Sequence, residues 1–247
     1  MKKPMMIIQY LPLWLCLLAM TISCAAAPPA RETPRIAGNS ILPPEAMGVV
    51  PEKPAIPSVP EYIMGEGLIS AKDMAAFLLD FNPMAEMDFV EDLSLLYTEE
   101  AGIEGVNHDA AFAQMCLETG FLSYGNLVTP DMNNFCGLGS TGIMGPDGPE
   151  RGLVFPDPRT GVRAHIQHLK AYATETPLAQ ELVDPRYRYV RLGSSPKIMG
   201  LAGTWASDRS YGEKMNDILE RLYSFSFLGE SGIKLPLASL PEIPEQE

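Results

Sequence analysis

The sequence predicts a mainly α fold: a helical body interrupted once by a loop-rich lobe with a little β structure. Three observations carry that expectation. Apolar residues recur at three- and four-residue spacing in separate stretches between Ser70 and Tyr223. Between Phe121 and Thr160 that period fails, and glycine and proline become frequent. The two ends of the chain share neither pattern and stand apart from the fold.

Residues 1–24 read as an export signal: Lys2 and Lys3, then an almost wholly apolar run from Met5 to Ile22. The run is long enough to leave an uncleaved anchor helix open. Thr21-Ile22-Ser23-Cys24 resembles a bacterial lipobox, in which the cysteine is lipidated and begins the mature chain, although Thr21 stands where Leu is usual. A plain signal cut among Ala25 to Ala27 is the other reading. Both lead outside the cytoplasm, to the cell envelope, and Cys24 would make the protein a membrane-anchored lipoprotein. Residues 25–60 read as a tether, since 28–60 hold nine prolines and no apolar period. The folded part is expected over 61–228, and the polar, proline-containing residues 229–247 are expected to be disordered.

Within the folded part, Ser70 is a helix cap, followed by Met74, Phe77, Leu78 and Phe81 in phase, with Asn82-Pro83 as the stop. A second helix is expected from about Ala85 to Glu99, with Phe89, Leu93 and Leu96 inward, and the acidic segment 86–104 reads as a solvated helix face. The third starts at Asp109 as cap and ends at Gly120, its stripe formed by Phe112, Met115, Cys116 and Thr119. Asn134–Leu138 and Leu153–Phe155 are candidate short strands. Helices return over Gly161–Ala173, Ile198–Trp205 and Tyr211–Tyr223, with a turn at Asp184-Pro185.

Formal net charge is −13, and −15 once Lys2 and Lys3 leave with the signal. Nucleic acid is therefore excluded as a natural partner, because phosphate binding needs clustered Lys and Arg. The charge is uneven. Residues 45–106 hold thirteen acids against two bases, whereas 107–224 hold thirteen against eleven and contain every histidine. Chemistry is sought in the later part. Cys116 and Cys136 remain after export; a disulfide and two separate buried thiols are equally open.

One carboxyl stands out. Glu118 lies about 60° from the apolar stripe of its helix, on the side of Gln114 and next to the irregular lobe. Burial against apolar groups keeps a carboxyl protonated, which is what the cleavage of a glycosidic bond requires of its acid. Periodicity alone favours reading Glu118 as a solvated helix-end glutamate.

Three segments go further. Ala110–Gly120, with Gln114, Glu118 and Thr119, resembles the catalytic helix of the glucosaminidase family of peptidoglycan hydrolases, roughly A-Q-x-x-x-E-[ST]-x-x-G. Asn133-Asn134-Phe135-Cys136-Gly137-Leu138 resembles the family's N-N-x-F-G-I segment. Trp205 to Lys214, with Asp208 and Tyr211, resembles its A-T-D-x-x-Y-A-x-K segment. They occur in the family's order, over roughly 107–224. The resemblance implies a lysozyme-like α+β fold with a glycan cleft between body and lobe. It implies an endo-β-N-acetylglucosaminidase that cuts peptidoglycan strands after N-acetylglucosamine, with Glu118 as general acid and Tyr211 lining the cleft. Gln114, Asn133, Asn134 and Phe135 become substrate-binding candidates. A second carboxylate is sought among Asp147, Glu150 and Asp157, with Glu150 and Asp157 foremost; without one, the substrate's own acetamido group could attack. No cofactor or metal is implied. A lytic transglycosylase reaction, and an inactive wall-binding or structural lipoprotein, are the competing readings.

Other constellations carry less. A thiol hydrolase from Cys116 or Cys136 with His165 or His168 is disfavoured, because Cys116 sits inside a helix rather than at its N-terminus. The two histidines, three apart, read as partly exposed side chains. The run Arg186 to Arg191 reads as a solvated face around tyrosines.

Overall fold

The computed structural model describes residues 55–125, 127–140, 144–145, 148–149 and 151–229. The export signal with Cys24, most of the tether, Asp147, Glu150 and the C-terminal tail lie outside these residues. Among the described residues five helices make up the body: α1 (Ala71–Phe81), α2 (Met87–Glu104), α3 (His108–Thr119), α4 (Pro158–Ala173) and α5 (Tyr211–Leu228). 3₁₀ turns lie between them at Pro130–Met132, Tyr187–Tyr189 and Ile198–Leu201. None of the described helices is long and apolar enough to cross a membrane.

The caps explain most boundaries. Ser70 Oγ accepts the Asp73 amide at 3.1 Å and starts α1. Gly105, at φ 73°, takes the left-handed turn that closes α2. α2 thus runs five residues past the expected Glu99, and its buried stripe includes Val90, Leu93, Tyr97 and Ala101. Asn107, not Asp109, caps α3, through Oδ1 on the Ala110 amide at 3.0 Å. Asp109 instead accepts the Leu68 and Ile69 amides and the Tyr223 hydroxyl, tying the entry of α1 to the end of α5.

α3 is buried on all sides. Every residue from Asp109 to Thr119 is buried except Glu118. It packs on α2, α4 and α5, while α1 covers α2 and α5. The expected one-sided stripe therefore understates its environment: alanines 110, 111 and 113 let three neighbours approach it at once.

Two expectations about the second and fourth helices are corrected. Glu100 and Glu104 are not on a solvated face; both carboxylates are buried. Glu100 meets Arg159 and Arg163 of α4 at 2.8 and 2.9 Å, and Glu104 meets Lys170 at 2.8 Å. Glu104 also accepts the Ala179 and Gln180 amides, fastening the loop after α4. A buried carboxylate persists only when paired in this way. His165 and His168 are likewise buried rather than partly exposed.

The described residues between α3 and α4 are mostly irregular. Its β structure among the described residues is one antiparallel pair, Met144–Gly145 with Gly148–Pro149. Asn134–Leu138 and Leu153–Phe155 are not strands. The Asn134 side chain does the work of a ladder: its Nδ2 donates to the Leu138 and Leu153 carbonyls, and its Oδ1 accepts the Leu138 amide. The expected helix over Ile198–Trp205 shortens to a 3₁₀ turn, followed by a tight loop in which Gly203 N donates to Ala206 O at 2.7 Å.

Candidate functional site

Glu118 occupies the last turn of α3, and the chain leaves that turn abruptly. Gly120 is left-handed at φ 57°, and Phe121, Leu122 and Tyr124 follow with φ of 54°, 60° and 55°. Left-handed backbone at bulky residues costs about 1 kcal/mol or more each and persists only where surroundings enforce it. Here Thr119 Oγ1 donates to the Met115 carbonyl and accepts the Leu122 amide. Asn82, at the end of α1, donates to the Phe121 carbonyl, and Phe81 stacks on the Phe121 ring at 4.4 Å. The turn that sets Glu118 at its half-buried position is thus held from α1 as well as from α3.

Two donors converge on one oxygen of Glu118. Trp205 Nε1 donates to Oε1 at 2.8 Å, and the Tyr211 hydroxyl donates to the same atom through a short bond. Tyr211 is the first residue of α5 and fully buried. Burial, and then the Glu118 charge, push its phenol well above the ordinary range, so it stays a donor. Trp205 is half-buried among the rings of His165, His168 and Tyr172, with centroids 5.9, 5.1 and 5.7 Å away. His168 is itself held by Asp184 at 2.6 Å.

Of the residues expected in the site, Gln114, Glu118 and Tyr211 come together. Gln114 is fully buried and donates to the Tyr211 hydroxyl at 2.7 Å. Asn134 and Phe135 are fully buried and shape their own segment. Asn133 is half-buried, left-handed at φ 49°, and donates to the Phe155 carbonyl at 3.0 Å. Asp157 caps α4, accepting the Thr160 amide and hydroxyl, and those bonds hold its carboxyl below the usual range. It borders a groove of ≈ 380 Å³ between α2 and the start of α4, lined also by Phe89, Leu93, Leu96 and Arg159. Neither Trp205 nor Tyr211 lines that groove. Asp147 and Glu150, the other candidates for a second carboxylate, lie outside the described residues.

Cys116 and Cys136 are both buried thiols and form no disulfide. Burial raises both well above the ordinary range, so neither supplies a thiolate. Sequence reasoning gave no role to Trp205, His165 or Tyr97. An indole donor inside the third matched segment was the available sign for Trp205; nothing local marks the other two.

The family model described as mannosyl-glycoprotein endo-beta-N-acetylglucosaminidase matches residues 95–224, which spans α3, the Trp205 loop and the start of α5. An uncharacterized protein of Borreliella burgdorferi is 36% identical over 170 residues, covering 69% of this chain and 81% of its own. No solved structure matches.

Proposed function

This chain belongs to the glucosaminidase family of glycoside hydrolases, and from that premise we propose that it hydrolyses the β-1,4 bond after N-acetylglucosamine in peptidoglycan, with Glu118 as general acid. The observation that carries this reading is the treatment of Glu118: the one residue of 109–119 that is not fully buried, with two neutral donors fixed on Oε1. We place the proton to be transferred on Oε2, since Oε1 already accepts from both. As the glycosidic C–O bond breaks, the leaving oxygen takes that proton and Glu118 becomes a carboxylate. Trp205 and Tyr211 are already aimed at the oxygen where charge grows, so no reorganisation is needed at that moment. The anomeric carbon receives the oxygen of water, either directly or after attack by the substrate's acetamido oxygen. In the direct course Glu150 is the favoured acceptor of the water proton, since Asp157 is engaged in capping α4.

The glycan would lie between the helical body and the lobe at 121–160, along the face where Glu118 and Trp205 are half-buried. The same reading has the protein exported and anchored in the envelope through a lipid on Cys24, on the strength of Lys2, Lys3, the apolar run and Thr21-Ile22-Ser23-Cys24.

The test is digestion of purified peptidoglycan by the full-length protein, wild type against Glu118→Gln, with the new ends identified by mass spectrometry. N-acetylglucosamine reducing ends from wild type alone are expected. Anhydro-muramic ends would make it a lytic transglycosylase. Equal cleavage by the variant, or none by either, would sink Glu118 as the catalyst and favour a wall-binding protein.

A further inference from the structure

A line of hydrogen bonds runs beneath Glu118 through four helices. Tyr97 of α2, His165 of α4, Gln114 of α3 and Tyr211 of α5 are all fully buried. Tyr97 Oη lies 2.8 Å from His165 Nδ1, His165 Nε2 lies 2.9 Å from Gln114 Oε1, and Gln114 Nε2 lies 2.7 Å from Tyr211 Oη, which meets Glu118. Each member has a fixed stock of donors and acceptors, so the direction of one bond dictates the next. A Glu118 carboxylate accepts, so Tyr211 commits its single proton to it. The Tyr211 oxygen then accepts from the Gln114 amide nitrogen. That turns Gln114 Oε1 toward His165, whose Nε2 must carry the hydrogen. Nδ1 is left as an acceptor for the Tyr97 hydroxyl, and every member of the line is satisfied.

We propose that His165, as its Nε2–H tautomer with Nδ1 accepting from Tyr97, is a positioning residue for the reaction: through Gln114 it directs Tyr211 to donate to Glu118. This rests on the reading of Glu118 as the acid. The opposite tautomer would turn the Gln114 amide over, take the Tyr211 proton for Gln114, and present Glu118 with an oxygen lone pair in place of a donor. The line is insulated from ordinary pH changes. Burial, and then the His168 charge, lower the His165 pKa to about 3, so the ring stays neutral. The titratable groups around the line are Tyr211 and Cys136 facing Glu118, His168 with its partner Asp184 beside His165, and Cys116, Cys136 and Tyr124 near Tyr97. Burial raises the three tyrosines and both thiols.

Nitrogen NMR of the full-length protein, labelled at its three histidines and assigned with a His165→Gln sample, reads the tautomer directly. A neutral ring protonated at Nε2 is expected from about pH 5 to about pH 8, the range in which an unperturbed histidine changes charge. A ring protonated at Nδ1 overturns the proposal. His165→Phe fills the space without a polar atom. In it the carbon NMR titration of the Glu118 carboxyl is expected to move to higher pH, because a carboxylate that loses a donor is easier to protonate. On peptidoglycan, kcat is expected to fall about tenfold with KM within about twofold, and the alkaline limb of the kcat profile to move up with the carboxyl. His165→Gln, whose amide N–H still reaches toward Gln114, is expected to recover most of the loss. A folded His165→Phe protein with an unmoved Glu118 titration overturns the proposal. If wild type cuts no peptidoglycan, the hydrolase reading fails, and the tautomer and carboxyl titration still decide whether the line has this direction.

Discussion

Glu118 is set apart from its helix by its neighbours rather than by its own position. Within α3 it is the half-buried exception, and its Oε1 is claimed by an indole and a phenol that arrive from 87 and 93 residues away. Neutral donors of this kind leave the carboxyl able to cycle between acid and carboxylate, which an arginine in the same place would oppose. Trp205 tests the arrangement most simply. Trp205→Phe keeps an aromatic ring for His165, His168 and Tyr172 to pack on but removes the donor. We expect kcat to fall about tenfold with little change in KM, in line with one lost hydrogen bond to a charged group. Steady-state kinetics beside a thermal melt would check it; a melt lowered by many degrees would assign the loss to packing instead.

At the scale of elements, α2 and α4 are clamped by buried charge. Burial raises the Glu100 carboxyl, but the bonds from Arg163, Gln180 and Arg159 outweigh it and bring the pKa down to about 2. A folded-state pKa below the unfolded one means stability that is present above about pH 4.3 and lost as pH falls toward 2. Glu100→Gln is therefore expected to cost roughly 2 kcal/mol near neutrality, less than the whole shift because Arg159 is half exposed, and to flatten the acid limb of an unfolding profile. Urea titrations at a series of pH values would read both. The contact between α4 and the segment after Pro130 is tighter still. A Cβ on Gly161 would lie 1.8 Å from the Asn133 carbonyl oxygen and 3.4 Å from the Phe135 ring. Gly161→Ala must push backbone apart, and we expect it to destabilise the protein by about 2–3 kcal/mol, visible as a lower urea midpoint.

Across the whole molecule the net charge is −13, and residues 28–60 hold nine prolines; in the reading proposed above, that segment would serve as a spacer between the domain and an anionic membrane surface. Lipid attachment at Cys24 would supply the hold. The wild-type protein is expected in the membrane fraction of cells and Cys24→Ala in the soluble envelope fraction, read by immunoblot. A Cys24→Ala protein that stays with the membrane would point to the apolar run from Met5 to Ile22 as the anchor.

What the sequence determined by itself was local. Ser70 as a cap, Asn82-Pro83 and Gly120 as stops, the apolar phase of α4 and α5, and each of the three segments that resemble the family depend on residues a few positions apart, where backbone preference and side-chain spacing act directly. The strands expected at Asn134–Leu138 failed because a side-chain amide, not a neighbouring strand, satisfies that backbone. Buried Glu100 and Glu104 failed the polar-outside rule because their partners lie on α4. Only the tertiary structure decided what surrounds Glu118. Tyr97 and His165 are 68 residues apart, and Gln114 and Tyr211 are 97 apart. Pairings at such separations are fixed by how helices pack, to within the few tenths of an ångström that a hydrogen bond tolerates, and no pattern along the chain encodes that distance.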